Sequence, residues 1–273
     1  MYKCIFACVL LVTAWTAQAR TPEIVLKHQQ MLYAVVQVEA GRGMGSGTVI
    51  YSQKNEAGEW ETFILTNRHV VAGAIKVGTE WNPQKQEDVK TERRSPVKAR
   101  WHQYNNLSAF IGTSGKTGDI VAYDANADLA LIQIRDRENG VSHVANLLPE
   151  DEHLYQGETV YAVGGGLGKP PFMTDGVLGH MEEVVDGYPY LLATAPIIFG
   201  NSGGALFHRN IDSRRYEMIG VPAMVSVAWG AGAITHMGWA IKMGTVRAFL
   251  RSNCFGFVLD DEVEREECQE VEE

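Results

Sequence analysis

The chain has 273 residues, 45% hydrophobic, 21% charged and 9% aromatic, a balance that excludes a disordered chain and allows one large β domain or two smaller ones. Its 28 glycines follow no G-X-Y period, which excludes collagen and points to many tight turns. The formal net charge of −9 sits largely at one end: Asp260 to Glu273 holds nine acids and one arginine, so the body is nearly neutral and offers no footprint for nucleic acid.

Met1-Tyr2-Lys3 is a short positive start, followed by an apolar run from Cys4 to Trp15 and an A-x-A site at Ala17-Gln18-Ala19. Residues 1–19 therefore read as a signal peptide, with the mature chain starting at Arg20; the alternative is an uncleaved anchor. No other stretch is long enough to span a bilayer, so no stable membrane insertion is expected after cleavage. Export leads first to a periplasmic location, with secretion as the alternative. Cleavage removes Cys4 and Cys8. Cys254 and Cys268 remain in a setting that permits a disulfide, with their pairing left open. Neither CxxC nor HExxH occurs, so no metal and no cofactor are expected.

Residues 20–259 read as one all-β domain, closed by an acidic tail over 260–273. Pro22 to Leu32 is a candidate short helix. Short β-rich runs follow at 47–51, 63–66, 129–134, 159–163, 190–194, 218–221 and 238–241, separated by glycine or polar turns, which favours a sandwich or barrel. Residues 82–118 are the least regular part and combine a basic patch (Lys85, Lys90, Arg93, Arg94, Lys98, Arg100) with a Gly-Ser-Thr stretch. They read as a solvated surface insertion, or alternatively as a docking surface for an acidic partner such as the chain's own tail. Gly164-Gly165-Gly166-Leu167-Gly168 reads as a barrel turn. Lys169 stands where a dinucleotide fingerprint requires its third glycine, and Pro170-Pro171 blocks the helix that should follow. Val246, Phe249 and Leu250 share one face of a terminal helix over Met243 to Arg251.

Three segments carry chemistry. His69 follows the strand end Leu65-Thr66-Asn67-Arg68, Asp128 opens the apolar strand Leu129 to Ile134, and Ser202 stands inside Gly200-Asn201-Ser202-Gly203-Gly204. Singly, these read as a structural histidine, a turn residue and a tight turn. Together they supply a serine to be activated, a base to activate it and a carboxylate to hold the base, beside a glycine-rich turn whose N–H groups can approach an oxyanion. The chain order His, Asp, Ser is the chymotrypsin-type one, and no G-x-S-x-G surrounds Ser202.

Together with Gly45-Ser46-Gly47-Thr48-Val49-Ile50, and with Gly220 to Ser226 and Gly238 to Ile241 downstream, these motifs resemble the protease domain of the HtrA/Deg family of trypsin-like serine proteases over about residues 33–250. The resemblance implies two six-stranded antiparallel β barrels, here with short terminal helices, and an active site between them. It further implies His69 as general base, Asp128 as orienting carboxylate and Ser202 as nucleophile, with the backbone N–H groups of Gly200 and Ser202 as oxyanion hole. Polypeptides would be the substrates. Two features depart from the pattern. Only 71 residues follow Ser202, so a PDZ domain is not expected within them, and 58 residues separate His69 from Asp128. Some members form oligomers, but nothing in this sequence establishes one. Residue 201 is Asn rather than Asp, so activation through an ion pair with a new N-terminus is not expected. The pocket for the residue before the scissile bond (P1) falls at Ala195 to Ile198, with Pro196 at its base and Ala223 and Met224 as a wall. No acid is present there, which predicts small or medium apolar P1 residues; cleavage after Glu, with His236 nearby, is the weaker option. The competing reading of the whole chain is a catalytically latent trypsin-like fold used for binding or chaperoning.

Overall fold

The computed structural model describes residues 21–260 except 186 and 229–231. The expected signal peptide, the tail beyond Asp260 and Cys268 lie outside the described residues. Cys254 is disulfide-bonded.

Fifteen strands are described, in chain order β1 (Val35–Ala40), β2 (Gly43–Lys54), β3 (Trp60–Thr66), β4 (Ile75–Asn82), β5 (Glu87–Arg94), β6 (Val97–Asn105), β7 (Ala109–Asp124), β8 (Leu129–Ile134), β9 (Asn146–Leu147), β10 (Thr159–Gly164), β11 (Phe172–Val185), β12 (Tyr188–Ala193), β13 (Ala205–Arg209), β14 (Tyr216–Ala228) and β15 (Gly232–Lys242). Three α-helices accompany them: α1 (Glu23–Gln30), α2 (Arg68–Val71) and α3 (Met243–Ser252). The first barrel closes in the order β1-β2-β3-β8-β7-β6. In the second, β10-β11-β12-β15-β14-β13 form a six-strand ring closed by the β13–β14 pairing, and the two-residue β9 joins β14 in parallel. The two six-stranded barrels expected from the sequence are present.

Alternation of side chains explains how strands of the first barrel also pack against the second. On β3, Ile64 points into the first barrel with Val36, Val38 and Val49, while Phe63 and Leu65 point out into the larger apolar cluster that fills the second barrel. On β8, Ile132 and Leu131 divide in the same way. A strand buried on both faces must be apolar over that stretch, which is why Leu129 to Ile132 reads as an unbroken hydrophobic run, ahead of the half-buried Gln133. The terminal helix forms as the pattern predicts, burying Met243, Val246, Phe249 and Leu250. Beyond it, Phe255 and Phe257 pack edge-on against Phe63, strapping the chain back onto the first barrel.

The reading of 82–118 as an irregular insertion is corrected. β4 and β5 form a hairpin of their own, while β6 and β7 are walls of the first barrel, β6 pairing with both β1 and β7. The strand signal is faint because β6 buries only Val97 and Ala99, and β7 only Gly118, Ile120 and Ala122. Residues 109–117 of β7 are largely exposed and so tolerate the Gly-Ser-Thr sequence. The three arginines of the basic patch are paired within the body: Arg93 with Glu80, Arg94 with Glu92 and Arg100 with Glu39.

Candidate active site

His69 lies in the single turn of α2, directly after β3. Val70 and Val71 are buried in the first barrel and hold the turn down, leaving the His69 side chain 47% exposed. Asn67, fully buried, donates from its side-chain amide to the Asp128 carbonyl at 2.9 Å, and the Arg68 N–H donates to the same carbonyl. The base of the His69 turn is thereby fastened to the start of β8.

Asp128 adopts φ 53°, a left-handed conformation that aspartate tolerates better than most residues. An Asx turn precedes it, in which the Asp124 carboxylate accepts from the N–H groups of Asn126 and Ala127. This geometry aims the Asp128 carboxylate back at His69, where it makes two contacts. Oδ1 accepts from the His69 backbone N–H at 2.9 Å, and Oδ2 lies 2.7 Å from the ring Nδ1. With the proton on Nδ1 donated to the carboxylate, Nε2 is left as an acceptor.

Ser202 arrives from the second barrel, in the turn between β12 and β13. Its carbonyl accepts the Ser46 N–H at 2.8 Å, so β2 of the first barrel reaches the Ser202 turn directly. Gly203, at φ +81°, sits so close that a Cβ would fall 2.2 Å from both the Ser46 carbonyl and the Thr66 hydroxyl. Only glycine fits there, and its closeness brings Ser202 against the strand end that carries His69. Gly200, at φ +100°, is pressed as tightly: a Cβ would meet the Gly165 carbonyl at 2.6 Å.

The N–H groups of this turn divide into two sets. Asn201 donates to Ile198, Gly203 to Pro222 and Gly204 to Asn201. Those of Gly200 and Ser202 donate to no acceptor among the described residues. The surrounding peptides are fixed from outside: the Phe199 carbonyl accepts from Leu167 at 2.7 Å, and the Gly200 carbonyl accepts from the Ser46 hydroxyl at 2.7 Å. Asn201 is buried, and its side-chain carbonyl accepts the Ile198 N–H at 3.1 Å, so a neutral turn-closing bond occupies this position.

The family model for the trypsin-like peptidase domain matches residues 45–212. The chain belongs to this family. Among curated relatives it is similar to the periplasmic pH-dependent serine endoprotease DegQ of Escherichia coli (strain K12), with 26% identity over 209 residues, 75% of this chain and 36% of that protein. It is also similar to the serine protease Do-like HtrA of Bacillus subtilis (strain 168), with 28% identity over 192 residues, 67% of this chain and 33% of that protein. The chain thus spans about a third of the length of these relatives. Among solved structures, the HtrA-type protease AlgW with tripeptide superposes with a TM-score of 0.58 at 18% identity, over 88% of this chain and 64% of that one, a likeness of fold.

Of the expected pocket residues, Pro196 is exposed, with its carbonyl accepting from the Thr174 hydroxyl at 2.7 Å. Ala223 and Met224 lie half-buried on β14, directly after Pro222, the residue that accepts the Gly203 N–H. Ile197 packs against Gly238 and donates its N–H to the Thr235 carbonyl, while His236 is exposed. Sequence reasoning missed the support beneath the turn. Ser46, Asn67 and the 165–168 segment hold the site together, and Ser46 stood out only as part of a glycine-flanked motif.

Proposed function

We propose that this chain is an exported serine endopeptidase working through His69, Asp128 and Ser202. The two-point clamp of Asp128 on His69 is the observation that carries the proposal, because a carboxylate bonded to both the backbone N–H and Nδ1 fixes ring orientation and tautomer together. The similarity to serine endoproteases, DegQ among them, supports the same reading.

In the first half-reaction, Ser202 Oγ attacks the scissile carbonyl carbon and its proton passes to His69 Nε2. The resulting imidazolium is stabilised by Asp128, and the oxyanion is received by the N–H groups of Gly200 and Ser202, the two left without acceptors in the turn. Collapse returns the proton to the departing amine and leaves an ester on Ser202. Water, deprotonated by His69, then attacks the ester carbonyl and restores the hydroxyl.

Pro196, Ala223 and Met224 line the P1 pocket in this reading, beside the apolar Ile197. A cation entering it would find no carboxylate among residues 195–198. The pocket takes Val, Ala, Ile or Leu. Residues 1–19 direct export, to the periplasm in keeping with the named location of DegQ; among the described residues no helix is long and apolar enough to cross a membrane. The test is digestion of a P1-varied peptide library by the protein and by Ser202→Ala. Cleavage by the parent alone, after small apolar residues, is the expected result. Cleavage dominated by Arg, Lys or Glu would overturn the pocket assignment, and equal cleavage by the variant would overturn the nucleophile.

A further inference from the structure

A cavity of about 480 Å³ lies among α3, the segment 148–154 that follows β9, and strands β11, β12 and β14 of the second barrel. That is room for a small molecule. None of its lining residues belongs to the proposed catalytic site or to the supports beneath it. Leu148, Leu154, Met181, Leu191 and Ile219 supply its apolar side. Leu191 and Ile219 are fully buried, and Leu154 and Met181 half-buried, so the floor is aliphatic. The mouth is open at Gly244, where a Cβ would meet nothing within 4 Å.

Arg247 of α3 lines the same cavity and is half-buried. Its guanidinium donates to the Leu148 carbonyl, the one hydrogen bond it makes among the described residues, and it joins no ion pair there. The acids nearby are engaged elsewhere or stand apart. Glu150 takes two nitrogens of Arg251, at 3.3 and 2.6 Å, Glu182 faces Lys242 at 3.6 Å, and Glu152 pairs with no cation. Burial holds the Arg247 guanidinium below the ordinary arginine range, against the pull of Glu150. A cation withdrawn from water without a counter-ion is costly, and an arginine presents a planar fork of N–H donors that matches a carboxylate.

We propose that this cavity is a binding site for an aliphatic monocarboxylate of medium length, with its carboxylate on Arg247 and its tail over Met181, Leu191 and Ile219. One cation free of an ion pair calls for a monoanion. The aliphatic floor calls for a hydrocarbon tail, since a sugar or nucleotide would set hydroxyls against leucine and isoleucine without partners. The site is independent of the proteolytic reading and stands whether or not Ser202 is a nucleophile.

Isothermal titration of the full chain with octanoate, butyrate and octanamide tests this, with melting curves taken on every variant. Octanoate is expected to bind with Kd on the order of 0.1–1 mM. Each buried methylene is worth roughly fourfold, so butyrate should bind at least about tenfold more weakly. Octanamide, which keeps the tail and lacks the charge, should bind the parent at least about tenfold more weakly too. Arg247→Gln retains a donor for the Leu148 carbonyl and is expected to weaken octanoate at least about tenfold while leaving octanamide unchanged; Arg247→Lys falls between. Met181→Glu, which sets a like charge beside the tail, should lose octanoate as well and decides the matter if Arg247→Gln fails to fold. A folded parent that does not bind octanoate, equal affinity for butyrate and octanoate, or octanoate binding unchanged in Arg247→Gln or in Met181→Glu would overturn the site. A peptide with a free C-terminal leucine that binds more tightly than octanoate, and loses this on amidation, would assign the cavity to a polypeptide terminus and overturn the free acid.

Discussion

The hydroxyl of Ser46 donates a 2.7 Å hydrogen bond to the carbonyl of Gly200, joining residues 154 positions apart in the chain. The same oxygen accepts the N–H of Gly165 at 2.8 Å, and Ser46 is fully buried. One side chain of the first barrel thus fixes both the peptide after Gly200 and the segment that holds the peptide before it. Ser46→Ala leaves a partly buried carbonyl and a buried N–H unpartnered, and a fully buried group of this kind costs about 1–3 kcal/mol. The Gly200 N–H is then expected to drift from the proposed oxyanion position. kcat is expected to fall at least about tenfold, less than the 10²–10³ lost when an oxyanion donor is removed outright, with KM nearly unchanged. Steady-state kinetics on a short peptide, alongside a melting curve, check this; an unchanged kcat in a destabilised variant would reduce Ser46 to a packing role.

Asp128→Asn isolates the second bond of the clamp. Asparagine accepts the left-handed backbone at this position and keeps an oxygen for the His69 N–H, so the fold is expected to hold. Its NH2 group then faces Nδ1, which must become an acceptor, and the proton moves to Nε2, which can then no longer take the proton of the proposed nucleophile Ser202. A loss of about 10⁴ in kcat is expected. Near-parental turnover would mean that another carboxylate orients the base.

Much of this site was legible in the sequence, and what was missed has a physical cause. His69, Asp128 and Ser202 each sit where a strand meets a turn, and such junctions show as a polar residue beside an apolar run. β8 was visible because both its faces are buried. Ser46 and the 165–168 segment escaped because their roles exist only once the barrels meet. β6 and β7 were hidden for another reason: they bury few side chains, so the period-two alternation is diluted by the largely exposed residues 109–117.

Acid sensitivity of the first barrel should come from three histidines around Tyr33 and β6. Burial holds His28, His102 and His143 below the ordinary histidine range, with Arg100 adding to the effect at His102. Below about pH 6.5 the unfolded chain binds protons that the folded barrel refuses, so stability falls as pH drops through that value toward the depressed folded ones. Melting temperatures are expected to decline from about pH 7.5 to about pH 5, and His102→Gln with His143→Gln should flatten the slope, at about 2–4 °C per kcal/mol. Asp119, Asp136 and Glu150, held low by Arg135, Lys116 and Arg251, titrate below this window. An identical slope in the double variant would contradict the histidine origin.

Reaction of the folded protein with a fluorophosphonate probe tests the assembled site most directly, because labelling needs an activated serine and a formed oxyanion hole together. Parent and Ser202→Ala are treated in parallel, and the labelled peptide is mapped by mass spectrometry. Labelling confined to Ser202 and abolished in the variant is the expected result. A folded parent that stays unlabelled, or carries its label on another serine, would contradict the proposed catalytic role of Ser202.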